Sequence, residues 1–187
     1  MHATHDGLAE KLRPLVLTLR IILGSLAAGV FLFAAVALAL RAGDGMPARG
    51  NGVDFLSMLA MVWTPLAVIL SRVVPMLIAG NARAKIAAGT YSSARDGASS
   101  PSASSDTDLL MGLYQSNTII AAAFLEGTAF FNLVAYLLEG NPVSLGLGIG
   151  LAMAILWMLP SAHRTANWIE LQLRSIGEER ALKQARP

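Results

Sequence analysis

A run of twenty-one residues from Thr118 to Leu138, TIIAAAFLEGTAFFNLVAYLL, is apolar almost throughout and carries a single acid, Glu126. As a helix rising about 1.5 Å per residue, it is long enough to cross a hydrocarbon core of about 30 Å. Glu126 is the ninth residue of the run and falls near its middle. A central charged side chain costs about 2.5–3.5 kcal/mol on insertion scales, so Glu126 is expected to face protein or water rather than lipid.

Three other runs share this character. Residues 21–40 give a first span, with small residues four apart at Gly24 and Ala28 and again at Ser25 and Gly29. Its twenty residues exceed the roughly 7–15 of a secretion-signal core, so it reads as an uncleaved helix. A second span starts near Asp54, a helix-capping residue, and ends near Pro75, with a bend expected at Thr64-Pro65. The fourth, Val143 to Leu159, carries Gly146, Gly148 and Gly150, then Ala152 and Ala154. Small residues at four-residue spacing let backbones approach closely. The faces of Gly24 with Ala28, and of Gly146 with Gly150 and Ala154, are therefore expected to be helix-packing surfaces. The chain is 14% charged, against about 25% in a soluble domain, and the shortfall matches four spans.

Composition changes around these runs. In residues 1–20, Leu8, Leu12, Leu15 and Leu19 recur at helical spacing, which predicts an amphipathic helix lying on the membrane surface and bent at Pro14. Residues 80–108 are rich in serine without apolar periodicity and predict a flexible linker. Glu139-Gly140-Asn141-Pro142 predicts a tight turn in which Gly140 ends one helix and Asn141 caps the next. After Pro160-Ser161, Ile169, Leu173 and Ile176 share one face of a last helix, with Arg164 and Arg174 suited to an interface.

The expected fold is all-α: a four-helix transmembrane bundle of two helical hairpins with short interfacial N- and C-terminal helices. Its parts are an interfacial helix over 1–20, a first hairpin over 21–79, a linker over 80–108, a second hairpin over 109–159 and an amphipathic helix and tail over 160–187. Twelve Lys and Arg residues fall in the terminal and central segments and two in the hairpin turns. That asymmetry predicts cytoplasmic termini and a cytoplasmic linker.

Chemistry-bearing patterns are scarce. Cysteine is absent, which removes disulfides, thiolate metal sites and thiol nucleophiles. No nucleotide-binding glycine motif, nucleophile elbow or His-Glu-x-x-His pattern occurs, so no catalytic residue is assigned and no cofactor or nucleic-acid partner is implied. His2, His5 and Asp6 lie in a terminal segment and are not assigned as a metal site, and His163 reads as an interfacial residue. Glu126 is the ion-binding candidate. Gln115 shares its helix face, and Arg72 is the nearest basic candidate, either paired with Glu126 or extended to the headgroups. Thr128 and Asn132 fall on nearly the opposite face and could bond another helix.

Two resemblances follow from these residues. The stretch around Glu126 resembles the carboxylate-bearing helix of the c subunit (proteolipid) of rotary ATP synthases, and the Gly146 to Ala154 series resembles the glycine-rich helix of that subunit. This resemblance implies an ion-binding carboxyl at Glu126. Leu125-Glu126-Gly127, Phe131, Leu133 to Leu138, Gly140-Asn141 and Pro160-Ser161 together resemble an uncharacterised bacterial family of four-span membrane proteins. That implies a four-span fold in a bacterial inner membrane and no particular activity. Two functions are expected in consequence. One is a non-enzymatic helix-packing membrane protein that forms a homo-oligomer or joins a partner subunit in the lipid bilayer. The other is an ion-binding or ion-translocating subunit using Glu126.

Overall fold

The computed structural model describes residues 2–43, 54–87 and 106–184, and the regular elements among them are helices. They are α1 (His2–Ala42), α2 (Phe55–Ala87), α3 (Asp106–Glu139), α4 (Pro142–Trp157) and α5 (Ala162–Gln184). Helices α1, α2 and α3 are each long and apolar enough to cross a membrane; α4 and α5 add a fourth span if they are taken together as one broken span.

The helices are longer than the hydropathy runs. The separate surface helix expected over 1–20 does not occur, because α1 continues for 41 residues through Pro14. Helix α2 likewise passes Pro65 and Pro75 and reaches Ala87. Helix α3 begins at Asp106, twelve residues before Thr118. The segment expected as linker is therefore helical at both ends; its part over 88–105 lies outside the described residues, as do residues 44–53 of the connection expected between the first two spans. A hydropathy run marks the apolar part of a helix and not its ends, and polar, well-packed turns extend these three.

The chain divides into two compact units, and the division is not by hairpin. One unit gathers Met1–Leu19, Pro75–Thr118 and Pro160–Pro187; the other gathers Arg20–Val74 and Ile119–Leu159.

The first unit has a core of Leu12, Ile86, Leu110, Leu113, Ile169 and Ile176, with Ala82 and Ala166 between them. The stripes of Leu12 with Leu15, and of Ile169 with Leu173 and Ile176, were expected to rest on lipid. They are covered by protein instead. Periodicity reveals an apolar face but not what covers it. Tyr114 and Trp168 meet at the edge of this core in a tilted contact, with ring centroids 5.2 Å apart and planes at 54°. Arg180 ties three helices together. Its guanidinium bonds both Asp106 carboxylate oxygens, at 2.7 and 3.1 Å, and donates to the Ile86 carbonyl at 3.1 Å. The last turn of α2 and the first turn of α3 thus meet at one arginine.

The second unit packs through narrow seams. On α1 the buried positions are Leu23, Ala27, Val30, Ala34 and Ala37; on α2 they are Ser57, Ala60, Thr64, Ala67 and Ser71. Both alternate steps of three and four residues, the spacing of a helix seam. Large side chains of α2 such as Leu66 and Ile69 point outward.

The glycine faces differ from expectation. A Cβ at Gly24, Gly146 or Gly150 would meet nothing within 4 Å, Ala28 is exposed and Ala154 is only partly buried. These residues do not form the seams within the chain. Gly148 does: a Cβ there would lie 2.8 Å from the Leu133 side chain and 3.2 Å from the Ala129 carbonyl oxygen. Helix α4 carries two interleaved small-residue stripes, and spacing alone does not choose between them.

Two substitutions test this packing. Ile169→Ala is expected to cost about 2–5 kcal/mol through the cavity it leaves, measured by unfolding of the full chain in detergent. A helix resting only on lipid would lose surface affinity rather than stability. Gly148→Ala is expected to cost about 1–3 kcal/mol by overpacking, while Gly150→Ala leaves stability unchanged in the same assay.

Candidate functional site

Glu126 belongs to the α3 part of the second unit. It is partly buried, next to the exposed Gly127 and close to the exposed Ala123. Arg72, on α2 in the same unit, is exposed. Among the described residues, neither group makes a hydrogen bond or ion pair, so the structure does not join Arg72 to Glu126 within the chain. Gln115 stands eleven residues before Glu126 and belongs to the other unit. In the first turn of α5, His163 shares a hydrogen bond of 3.3 Å with Asn167.

The register of α2 against α3 sets the depth of both charges. Asn132 Nδ2 donates to Thr64 Oγ1 at 2.9 Å and to its own helix at the Thr128 carbonyl. Thr64 Oγ1 in turn donates to the Ala60 carbonyl at 2.7 Å. One heptad away, the Glu139 carboxylate accepts from the backbone N–H groups of Leu56 and Ser57, both at 2.7 Å. Ser57 therefore faces Glu139 and Thr64 faces Asn132 on antiparallel helices. One further heptad brings Ser71 opposite Leu125. Arg72 then lies level with Phe124, two residues or about 3 Å along the axis from Glu126.

A second cluster, at the ends of these helices, was not anticipated. Glu139 caps the first turn of α2, where exposed backbone N–H groups and the helix dipole favour an anion. Arg41, at the end of α1, donates to the carbonyls of Tyr136 and Leu137 at 2.7 and 3.1 Å and lies over the Tyr136 ring. It thus places a cation at the C-terminal end of α3, where the dipole favours one. Asn141 caps α4 through its Oδ1 to the Val143 N–H, and its Nδ2 donates to Asp54 Oδ2 at 3.2 Å. Gly140 has φ +76°, and a Cβ there would run into the Arg41 guanidinium. The sequence held one signal for this cluster. A glutamate in the last turn of its own helix opposes that helix's dipole, which points to service at another helix's start.

Chemically, these contacts join helix to helix. The capping of Asn141 and the helix-ending role of Gly140 match the turn read from the sequence. Comparison with protein-family models, curated proteins and solved structures finds no match to this chain.

Gly140→Ala is expected to destabilise by about 1–3 kcal/mol, because it strains a left-handed backbone and displaces Arg41 from its carbonyls. Glu139→Gln removes the charge from the α2 cap and is expected to cost about 1–2 kcal/mol. Thermal unfolding in detergent reads both, with Gly112→Ala, which enters open space, as the neutral control.

Proposed function

We propose that this chain is a non-enzymatic, oligomer-forming integral protein of a bacterial inner membrane, with its termini and the segment between α2 and α3 in the cytoplasm. The observation that carries this reading is how the second unit uses its polar groups. Asn132, Thr64, Glu139, Arg41 and Asn141 bond between helices or cap helix ends, so they serve packing rather than a substrate. Small residues that could seat another helix, Gly24, Gly146 and Gly150, have open space beside them. Helix association in lipid relies on close approach and hydrogen bonds, and both are features of this unit. The resemblance to four-span bacterial proteins supports the same location.

A second reading, an ion-binding subunit like the c subunit of rotary ATP synthases, is favoured by one fact. Glu126 carries a carboxyl with no partner within the described residues.

Two tagged versions of the full chain, co-expressed and extracted in mild detergent, are expected to purify together. Failure to do so across detergents and in lipid nanodiscs counts against the oligomer. Because the chain lacks cysteine, single-cysteine variants report its orientation directly. Asn141→Cys is expected to react from the periplasmic side and Ser99→Cys only after permeabilisation; the reverse pattern inverts the topology.

A further inference from the structure

We infer that Arg72 and Glu126 are each other's partners between copies of this chain, and that this contact docks the apolar helices of one copy on those of a second. The inference rests on the oligomer reading and names its contact. Three observations lead to it.

The first is complementarity. The two side chains carry opposite charges on the second unit, and among the described residues neither has a hydrogen bond or ion pair. In an apolar surrounding an unpaired charge is costly, whereas a guanidinium and a carboxylate satisfy each other through paired N–H···O bonds.

The second is depth. The register fixed by Asn132 with Thr64, and by Glu139 with the start of α2, puts Arg72 and Glu126 about 3 Å apart along the helix axis. Copies related by an axis along the membrane normal keep every residue at its own depth. The guanidinium of one copy therefore arrives at the level of the other copy's carboxylate. The contact is self-complementary in a closed pair, and it repeats from copy to copy in a ring.

The third is access. Arg72, Ala123 and Gly127 are exposed, and a Cβ at Gly127 would meet nothing within 4 Å. A second helix can approach Glu126 there without displacing a large side chain. Arg72 has a rival use, reaching the headgroups along its own apolar stem. That use gives it no dependence on Glu126, and the experiment separates the two.

The test is charge reversal in two differently tagged full-length copies. An R72E copy carries carboxylates at both positions, and an E126R copy carries guanidinium groups at both. Each variant with itself faces like charges, so co-purification is expected to fall about tenfold from wild type. R72E with E126R restores opposite charges at every contact and is expected to recover to within about twofold of wild type. Unchanged self-association of either variant, as headgroup binding by Arg72 requires, overturns the proposal, and so does a mixed pair as weak as the self pairs. Since reversal inside an apolar helix can disturb folding, an R72C copy co-expressed with a differently tagged E126C copy supplies a second measurement, in which no cross-link can close within one chain. In intact membrane vesicles a short bis-maleimide is expected to yield covalent dimers between copies, and monomer alone overturns the contact. If wild-type copies associate but neither experiment responds, the Arg72–Glu126 contact fails while the oligomer stands. If wild-type copies do not associate, both fail.

Discussion

The hydrogen bond from Asn132 to Thr64 fixes the register on which the second unit depends. Every buried position of α2 before Val74 is small or bears a hydroxyl, so none of its large side chains is fully buried in the seam. Sliding α2 by one turn would set the Asn132 amide against Ala60 or Ala67. Sliding it by a full heptad would return a serine to Asn132 but take the start of α2 away from Glu139. The two contacts together exclude the alternatives that either one alone permits. A single interhelical hydrogen bond in lipid contributes only about 0.6 kcal/mol on average. Its value here is in the choice of register more than in the strength of the contact.

Charges at helix ends complete the arrangement, and each serves a helix other than its own. Glu139 ends α3 and caps α2; Arg41 ends α1 and meets the last carbonyls of α3. Both helices that flank residues 44–53 are therefore tied to the last turn of α3. In the first unit, Arg180 on α5 does the same for the other long connection, since it bonds Ile86 before it and Asp106 after it. Exposed ion pairs are individually weak. Arg180 gains more from bridging two helices: the dipole at the end of α2 favours its cation, and the dipole at the start of α3 favours the Asp106 carboxylate that it meets.

The helical class, the apolar runs and the turn at Gly140-Asn141-Pro142 were legible in the sequence because each has a local cause: composition, a positive φ, a capping side chain. What was not legible depended on partners. Leu12, Ile169 and Ile176 show the same periodicity whether lipid or protein covers them, and protein does. Spacing made Gly146 and Gly150 equal candidates with Gly148, and only Gly148 is in tight contact. The seam of Ser57, Ala60, Thr64, Ala67 and Ser71 has a clear heptad pattern, but serine and threonine are not the residues by which an apolar seam is usually sought. At Glu126 the sequence marked a carboxyl within a long apolar helix, and the structure places it, partly buried, on α3. That Arg72 lies about 3 Å from it along the helix axis emerged only when contacts far along α2 and α3 set the register.

Helix α2 also carries an argument about surroundings. Up to Val74 its buried side chains are Ser57, Ala60, Thr64, Ala67 and Ser71, while Leu66 and Ile69 are 45% and 57% exposed. Beyond Pro75 its buried side chains include Ile86, which joins Leu12, Leu110, Ile169 and Ile176 in an aliphatic core. Water drives large aliphatic side chains inward, because each one buried gains about 1.5–3 kcal/mol. Hydrocarbon gives no such gain, so small residues suffice inside and large ones can remain outside. The change along the helix is gradual: Met76, Leu77 and Ile78 are still 77%, 63% and 36% exposed, and the large aliphatic side chain that turns inward is Ile86. The pattern before Val74 suits an apolar surrounding, in keeping with the length and composition of α2. Arg72, exposed two residues before Val74, sets a charge at the end of that stretch, beside the buried Ser71 of the seam.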